Sequence, residues 1–125
     1  MHEHGKKYRI LIIYYICRNN KYWGYKNMII TLCGSTKFKS VFNRVAQRIS
    51  LMGHIVLTPT IFSHADNIEL TEEKIQTLKK VHLEKIAMSD AIIIINVDGY
   101  IGETTREEIE YAKKLNKEII YLKDQ

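Results

Sequence analysis

Two hydrophobic periods alternate from residue 28 onward and predict strands separated by helices. Short apolar runs are typical of buried strands, and the apolar residues between them recur every three or four positions, as on one face of a helix. We expect strands at residues 28–33, 54–57, 91–96 and 118–122, and helices over about 38–52, 71–89 and 105–115. The run of isoleucines after Ala91 indicates a strand that is buried on both faces.

This order of elements predicts a single α/β domain over residues 28–125. Short apolar strands joined through helices pair in parallel, because parallel neighbours require a crossover connection. The expected fold is a Rossmann-like (flavodoxin-like) parallel sheet covered by helices. Ligands of such sheets bind beyond the carboxyl ends of the strands, so the loops at residues 34–37, 58–70 and 97–103 are the candidate binding segments.

Residues 1–27 form an N-terminal appendage with a different pattern. Its apolar run at residues 10–17 is followed by polar and aromatic residues without clear periodicity. The appendage is either an extra strand or a disordered extension, and the pattern does not choose between the two. The apolar run is too short to span a bilayer, and no small-residue cleavage site follows it. We therefore expect a cytoplasmic protein without a membrane anchor.

Composition and charge fit one globular domain and disfavour a nucleic-acid partner. The chain has 125 residues, of which 46% are apolar and 26% charged. The net charge is +5, but six of the 19 Lys and Arg residues lie in residues 1–27, where only Glu3 opposes them. The remainder carries 13 charges of each sign. A phosphate-binding face requires an excess of Lys and Arg, and the predicted domain carries none.

The sequence predicts neither a metal site nor a cofactor. Cys17 and Cys33 have no CxxC spacing and no neighbouring His cluster, so we expect free thiols in a reducing compartment. His64 and Asp66 in the long loop offer two side chains that suit a metal or a sugar. Two ligands are too few to predict a metal site.

The turn Gly34-Ser35-Thr36 joins a predicted strand to a helix. Backbone N–H groups, two hydroxyls and the positive end of the helix meet at such a turn, which suits a phosphate or a ribose hydroxyl. Plain N-capping by Ser or Thr is the more frequent reason for these residues.

Glu108 is the most informative candidate for chemistry. Thr104 and Glu107 have the spacing of a capping box, which would begin the helix there. Glu108 then falls on the side of the helix that faces the sheet, with Thr105, Ile109 and Ala112. An inward carboxylate is costly unless it is hydrogen-bonded or used. A solvated Glu at a helix start is the alternative interpretation.

Two further side chains are candidates with simpler alternatives. His82 lies near the buried stripe of its helix, where a histidine is more often a core residue than a catalytic one. Tyr100, in the glycine-rich loop, has an aromatic ring that suits stacking on a base, although exposed loop tyrosines commonly have no such role.

Three short motifs together resemble a known family. One follows the first strand, one precedes the central strand, and one begins the last helix. They are Cys33-Gly34-Ser35-Thr36, Ser89-Asp90-Ala91-Ile92, and the segment from Gly99 through Glu108 followed by Tyr111-Ala112 and Asn116-Lys117. Over residues 28–122 the chain resembles the nucleoside 2-deoxyribosyltransferase family and the related deoxynucleoside monophosphate N-glycosidases. More distantly, the loop at residues 98–104 is similar to the Gly-Gly-x-Gly-Thr phosphate loop of phosphoribohydrolases.

The resemblance implies an enzyme that acts on the N-glycosidic bond of a small-molecule nucleoside or nucleotide. In the family, a Glu after the glycine-rich loop attacks the sugar C1′ to form a glycosyl-enzyme, and the matching position here is Glu108. Family sites often form between subunits, which implies a homo-oligomer. The substrate-binding residues that the resemblance implies are Gly34, Ser35, Thr36, Asp98, Gly99, Tyr100, Gly102, Thr104 and Thr105.

Two positions depart from the family pattern and keep other functions open. Thr31 stands where the family commonly has Tyr, and His82 stands where it has Asp. His82 can protonate a leaving base or orient a water molecule, or it marks a loss of activity. The alternative function is therefore a nucleotide-binding or sensing module without catalysis. A third is nucleic-acid binding through residues 1–27, which would weaken steeply with salt.

Overall fold

The structure, a computed structural model, describes residues 27–122. In chain order these residues form β1 (Ile29–Cys33), α1 (Lys39–Leu51), β2 (Ile55–Leu57), α2 (Glu72–Met88), β3 (Ala91–Ile94), α3 (Glu103–Lys114) and β4 (Glu118–Tyr121). Single 3-10 turns at Thr36–Phe38 and Val97–Gly99 precede α1 and α3. The predicted N-terminal appendage, apart from Asn27, lies outside the described residues, as does Cys17.

The described strands form one parallel sheet in the order β2-β1-β3-β4. β1 and β3 are its central pair, with Thr31 opposite Ile92 and Cys33 opposite Ile94. All four residues of β3 are buried, which agrees with the isoleucine run. The predicted Rossmann-like α/β class is therefore confirmed. Within residues 27–122, no helix has both the length and the apolarity needed to cross a bilayer.

The sheet separates two hydrophobic cores, because successive side chains of a strand point to opposite faces. One face packs against α1, and its core includes Ile30, Leu32, Phe42, Ile49 and Ile93. The other face packs against α2 and α3, and its core includes Cys33, Ile86, Ile92, Ile94, Ile109 and Ala112. Cys33, the last residue of β1, therefore lies on the same side of the sheet as α2 and α3.

Most predicted boundaries hold to within two residues, but the reason that α3 begins where it does was predicted wrongly. The N-cap is Gly102, which makes no side-chain cap hydrogen bond, and the helix begins at Glu103. The Gly102 carbonyl accepts a hydrogen bond from the Arg106 N–H at 3.0 Å. Thr104 and Glu107 are thus already inside the helix, and the predicted capping box does not form. Glycine is an acceptable N-cap because its backbone adopts the required conformation without strain.

Candidate active site

A cavity of about 310 Å³ lies beyond the carboxyl ends of the strands, where a parallel sheet is expected to bind ligands. The loops after β1, β2 and β3 contribute to it, together with α2 and the start of α3. Most of the candidate site residues line this cavity, namely Gly34, Ser35, Thr36, His82, Tyr100, Gly102, Thr104, Thr105 and Glu108. Two others, Asp98 and Gly99, are not among its lining residues.

Glu108 lies on the inner face of α3 and is only 9% exposed. It shares this buried face with Thr105, Ile109 and Ala112, so the predicted inward orientation is confirmed. Burial raises the pKa of Glu108 to about 7, and the negative charge of Glu107 acts in the same direction. A hydrogen bond with Cys33 and the positive charge of Lys79 lower the same pKa. At neutral pH the carboxyl is therefore close to half ionised.

His82 reaches the same point from α2, and its Nε2 lies 3.9 Å from Oε1 of Glu108. Burial lowers the pKa of His82 to about 4, and the positive charge of Lys85 adds to this shift. The imidazole is consequently neutral at physiological pH. Its contact with Glu108 is not an ion pair there, although the two side chains have the right types to form one.

Cys33 reaches the cluster from the end of β1. Its Sγ lies 3.5 Å from Nε2 of His82, and the tautomer of the ring decides which atom donates the hydrogen bond. Burial raises the pKa of the Cys33 thiol, and the negative charge of Glu108 raises it further. The sequence shows no His cluster beside this cysteine, but β1 and α2 bring Cys33 and His82 together although they are 49 positions apart.

The turn after β1 requires a glycine because it passes close to the end of β3. A Cβ on Gly34 would lie 2.9 Å from the Ile95 carbonyl oxygen and 3.0 Å from the Ile95 Cβ. Ser35 caps the following 3-10 turn, since its Oγ accepts a hydrogen bond from the Lys37 N–H at 3.3 Å. The N-capping interpretation thus describes Ser35 correctly, while the turn also forms part of the cavity wall.

Two residue pairs, Thr36–His64 and Lys39–Asp66, connect the long loop after β2 to the turn before α1 and to the first residue of α1. Oγ1 of Thr36 and Nδ1 of His64 are 2.9 Å apart. Lys39 donates to both carboxylate oxygens of Asp66, at 3.0 and 2.9 Å. His64 and Asp66, which the sequence offered as metal or sugar ligands, therefore position the loop, and only His64 is among the residues that line the cavity.

The loop after β3 turns sharply before α3. Asp98 and Gly99 both have left-handed backbone conformations, with φ of 53° and 82°. Asp and Gly tolerate such conformations better than most residues. The turn presents Tyr100 at the cavity, and the Lys37 ammonium lies 4.0 Å from the centre of its ring. Asp98 and Gly99 thus shape the loop that carries Tyr100.

Thr31, at the position where the resembling family commonly has Tyr, has a structural role. Its hydroxyl is fully buried and lies 2.6 Å from Oγ of Ser89 and 3.2 Å from the carbonyl oxygen of Lys85. These contacts fasten β1 to the end of α2.

The sequence predicted the loop at residues 58–70 as a binding segment, and Pro59, Ile61, Ser63 and Leu70 of this loop line the cavity. It did not predict that Ile75, Leu78 and Lys79 of α2 also line it. The helical period of Ile75, Leu78 and His82 contains the signal, because it places all three on one face of α2. That face contacts both the core and the cavity, and the pattern does not tell which of its residues line the cavity.

Comparison with known protein families agrees with the extent of this domain. A family model described as "Domain of unknown function (DUF4406)" matches residues 30–121. The chain belongs to this family. No curated protein matches the chain. The matched region extends from β1 to β4 and contains the whole cavity described above.

Proposed function

We propose that this protein cleaves the N-glycosidic bond of a nucleoside or nucleotide, or transfers the deoxyribosyl group to another base, through a glycosyl intermediate on Glu108. The observation that carries the proposal is the placement of the Glu108 carboxyl, which is buried on the inner face of α3 and lines a cavity walled by the turn at Gly34. The motif resemblance to nucleoside 2-deoxyribosyltransferases supports the same residue.

The proposed reaction has two steps. A carboxylate oxygen of Glu108 bonds to C1′ of the sugar, while the C–N bond breaks and the base leaves with the bonding electrons and takes a proton from solvent. Water or a second base then attacks C1′ and releases Glu108. Neutral His82, beside the carboxyl, suits the role of a base that accepts the proton of the attacking water. With a pKa of about 4, it is poorly suited to be the acid of the first step.

The cavity offers donors and positive charge for a sugar or a phosphate. The N-terminal turn of α3, with Thr104 and Thr105, opens into it, and helix N-termini favour anions. Lys79 is among the lining residues, and Lys37 lies against Tyr100 at its edge. Ser63 and Thr36 add hydroxyls. These groups support a polar sugar or sugar phosphate in the cavity, with the ring of Tyr100 available for the base.

One observation favours a second function, a nucleotide-binding module without catalysis. A carboxyl group with a pKa of about 7 is partly protonated at neutral pH and can then donate a hydrogen bond to a ligand. In such a module Glu108 would recognise a ribose hydroxyl or a base nitrogen and never attack C1′.

One experiment distinguishes the two functions. The full chain is incubated with a panel of deoxynucleosides and their monophosphates at pH 8, and free base is quantified by chromatography. We expect base release that is lost in Glu108→Gln and retained in the matched control Glu107→Gln, whose side chain is exposed on the same helix. Binding of a nucleotide without base release supports the module. Unchanged turnover in Glu108→Gln excludes the nucleophile.

We also propose that the protein acts in the cytoplasm as a homo-oligomer. The outer surface of α2 and α3 forms a broad groove in which basic and acidic side chains alternate, including Lys80, Arg106, Glu107, Glu110 and Lys114. A surface with interleaved charges of both signs can pair with a second copy of itself. The buried free thiol of Cys33 suits a reducing compartment. Light scattering coupled to size-exclusion chromatography measures the assembly directly.

A further inference from the structure

Three chemically different ligand atoms meet beside the cavity, where β1, α2 and α3 pack together. Cys33 offers Sγ, His82 offers Nε2 and Glu108 offers a carboxylate oxygen, and all three atoms lie within 4.8 Å of one another. The Sγ–Nε2 distance is 3.5 Å, and the Nε2–Oε1 distance is 3.9 Å. The side chains come from β1, α2 and α3, so the packing of the core fixes their mutual positions.

The arrangement differs from a cysteine–histidine–acid catalytic triad. In a triad the nucleophile and the acid bind opposite nitrogens of the imidazole, so that the three groups form a chain. Here the thiol and the carboxyl both approach Nε2. Cys33 is also fully buried, out of reach of a substrate. Three donor atoms within 4.8 Å of one another, two of which approach the same nitrogen, are close enough to share one metal ion.

We propose that Cys33, His82 and Glu108 bind one Zn²⁺ ion, with the fourth coordination position open to the cavity. Tetrahedral zinc with bond lengths of about 2.0–2.3 Å places its ligand atoms roughly 3.3–3.6 Å apart. The Cys33–His82 separation already has this value, and the His82–Glu108 separation of 3.9 Å needs to close by about 0.5 Å. The Cys33–Glu108 separation is at most 4.8 Å and needs to close by about 1 Å or less. His82 and Glu108 line the cavity, so the ion has a route to the cluster and a free side.

The choice of metal follows from the donor atoms and their charges. Sulfur and imidazole nitrogen disfavour magnesium and calcium, which prefer oxygen ligands. A thiolate and a carboxylate carry two negative charges, and a divalent ion brings the site to zero net charge. In a buried site a neutral set is less costly than unpaired anions. Binding releases the thiol proton, and any proton on the carboxyl, to solvent.

Zinc in this cluster would inhibit the proposed reaction. This consequence, unlike the zinc site itself, rests on the proposed function. A Glu108 oxygen that coordinates the metal is not available to attack C1′. The site would therefore hold either zinc or a reacting nucleoside, and zinc would inhibit base release.

The test uses the full chain after chelator treatment and exchange into metal-free buffer. Co²⁺ serves as the spectroscopic probe, because a thiolate ligand gives an intense charge-transfer absorption and tetrahedral coordination gives strong visible bands. Zn²⁺ is then added in competition. We expect one Co²⁺ per chain, with a thiolate band that zinc abolishes. Absence of the band, or binding without saturation at one ion, overturns the proposal.

Variants assign the ligands. We expect Cys33→Ser to lose the thiolate band and Glu108→Gln to weaken zinc binding by about 100-fold or more, since even residues that only support metal ligands commonly contribute 10- to 100-fold. Cys17→Ser controls for the other thiol, and His2→Asn with His4→Asn controls for the N-terminal histidines. Loss of the band in Cys17→Ser, or full binding by Cys33→Ser, contradicts the assignment. Zinc binding by a protein that shows no base release even when metal-free would refute the enzyme and leave the zinc site intact.

Discussion

Nε2 of His82 lies 3.9 Å from Oε1 of Glu108, and burial shifts the pKa values of the two groups in opposite directions. With ordinary pKa values, the carboxylate would be charged and the histidine partly protonated at neutral pH, and the two would form an ion pair. Burial instead favours the uncharged form of both groups. The pKa of Glu108 is thus close to neutral pH, so a small change in its surroundings changes its ionised fraction.

The pH dependence of base release follows from the raised pKa of Glu108. In the proposed reaction Glu108 must be ionised to act as the nucleophile, so the rate in metal-free protein should rise through about pH 7 and level off above about pH 8. His82 stays neutral across this range, so its titration does not change the pH–rate profile. The measurement is the initial rate from pH 5 to 9 with a chelator present. The Glu107→Gln variant should keep the midpoint within a few tenths of a pH unit, and a rate that falls with rising pH would contradict the assignment.

The Glu108→Gln variant should be more stable than the parent at pH 8. The carboxyl has a higher pKa in the folded chain than in the unfolded chain, so the folded state loses stability as pH rises from about 4.5 to about 7. Glutamine removes this penalty, which is about 3 kcal/mol above pH 7. At pH 4 or below the benefit should disappear. Urea unfolding at the two pH values measures the difference, and Glu107→Gln should show no comparable gain because its side chain is exposed.

Gly34→Ala should destabilise the fold by about 2–3 kcal/mol, because the new Cβ meets the backbone of Ile95, which cannot move without disturbing the end of β3. Gly102→Ala is the matched comparison. Its Cβ would lie 3.3 Å from the hydroxyl of Tyr100, a half-exposed side chain that can shift. We expect that variant to lose less than about 1 kcal/mol. Equal losses in thermal or urea unfolding would show that the close approach at Gly34 is unimportant.

Thr31→Val should cost about 1–2 kcal/mol of folding free energy and leave the chemistry intact. Valine keeps the shape but removes the hydroxyl that contacts Ser89 and Lys85. Thr77→Val, on the exposed face of α2, removes a hydroxyl that donates to the Glu73 carbonyl and should change stability by about 0.5 kcal/mol or less. A large fall in kcat/KM for folded Thr31→Val would instead give Thr31 a role in the reaction.

The local features of this fold were predictable because neighbouring residues determine them. The isoleucine run predicted β3, and the helical period predicted a helix from about residue 71. Thr71 is the N-cap of this helix, α2, and its hydroxyl accepts a hydrogen bond from the Lys74 N–H at 3.2 Å. The capping box at Thr104 failed because Gly102 had already begun the helix. The Thr104–Glu107 spacing and the nearby Gly102 offer two possible helix starts, and spacing alone does not decide between them.

The candidate site was only half predictable for a different physical reason. The helical period alone placed Glu108 on an inner face. The approach of Cys33 to His82 depends on how β1 pairs with β3 and how α2 packs over both, which no local pattern encodes. A cysteine at the end of an apolar strand therefore looked like an ordinary core residue until the sheet order was known.

The sheet separates the two hydrophobic cores, and we expect substitutions in them to have different consequences. Phe42 and Ile49 pack on the face opposite Cys33, so the layer under α1 can be redesigned for thermal resistance while the reactive groups keep their surroundings. On the far side, α2 and α3 supply core residues and cavity-lining residues together, so substitutions beneath them act close to the cavity. Mutations selected for heat resistance and mutations selected for a new ligand can thus accumulate on opposite faces of the sheet.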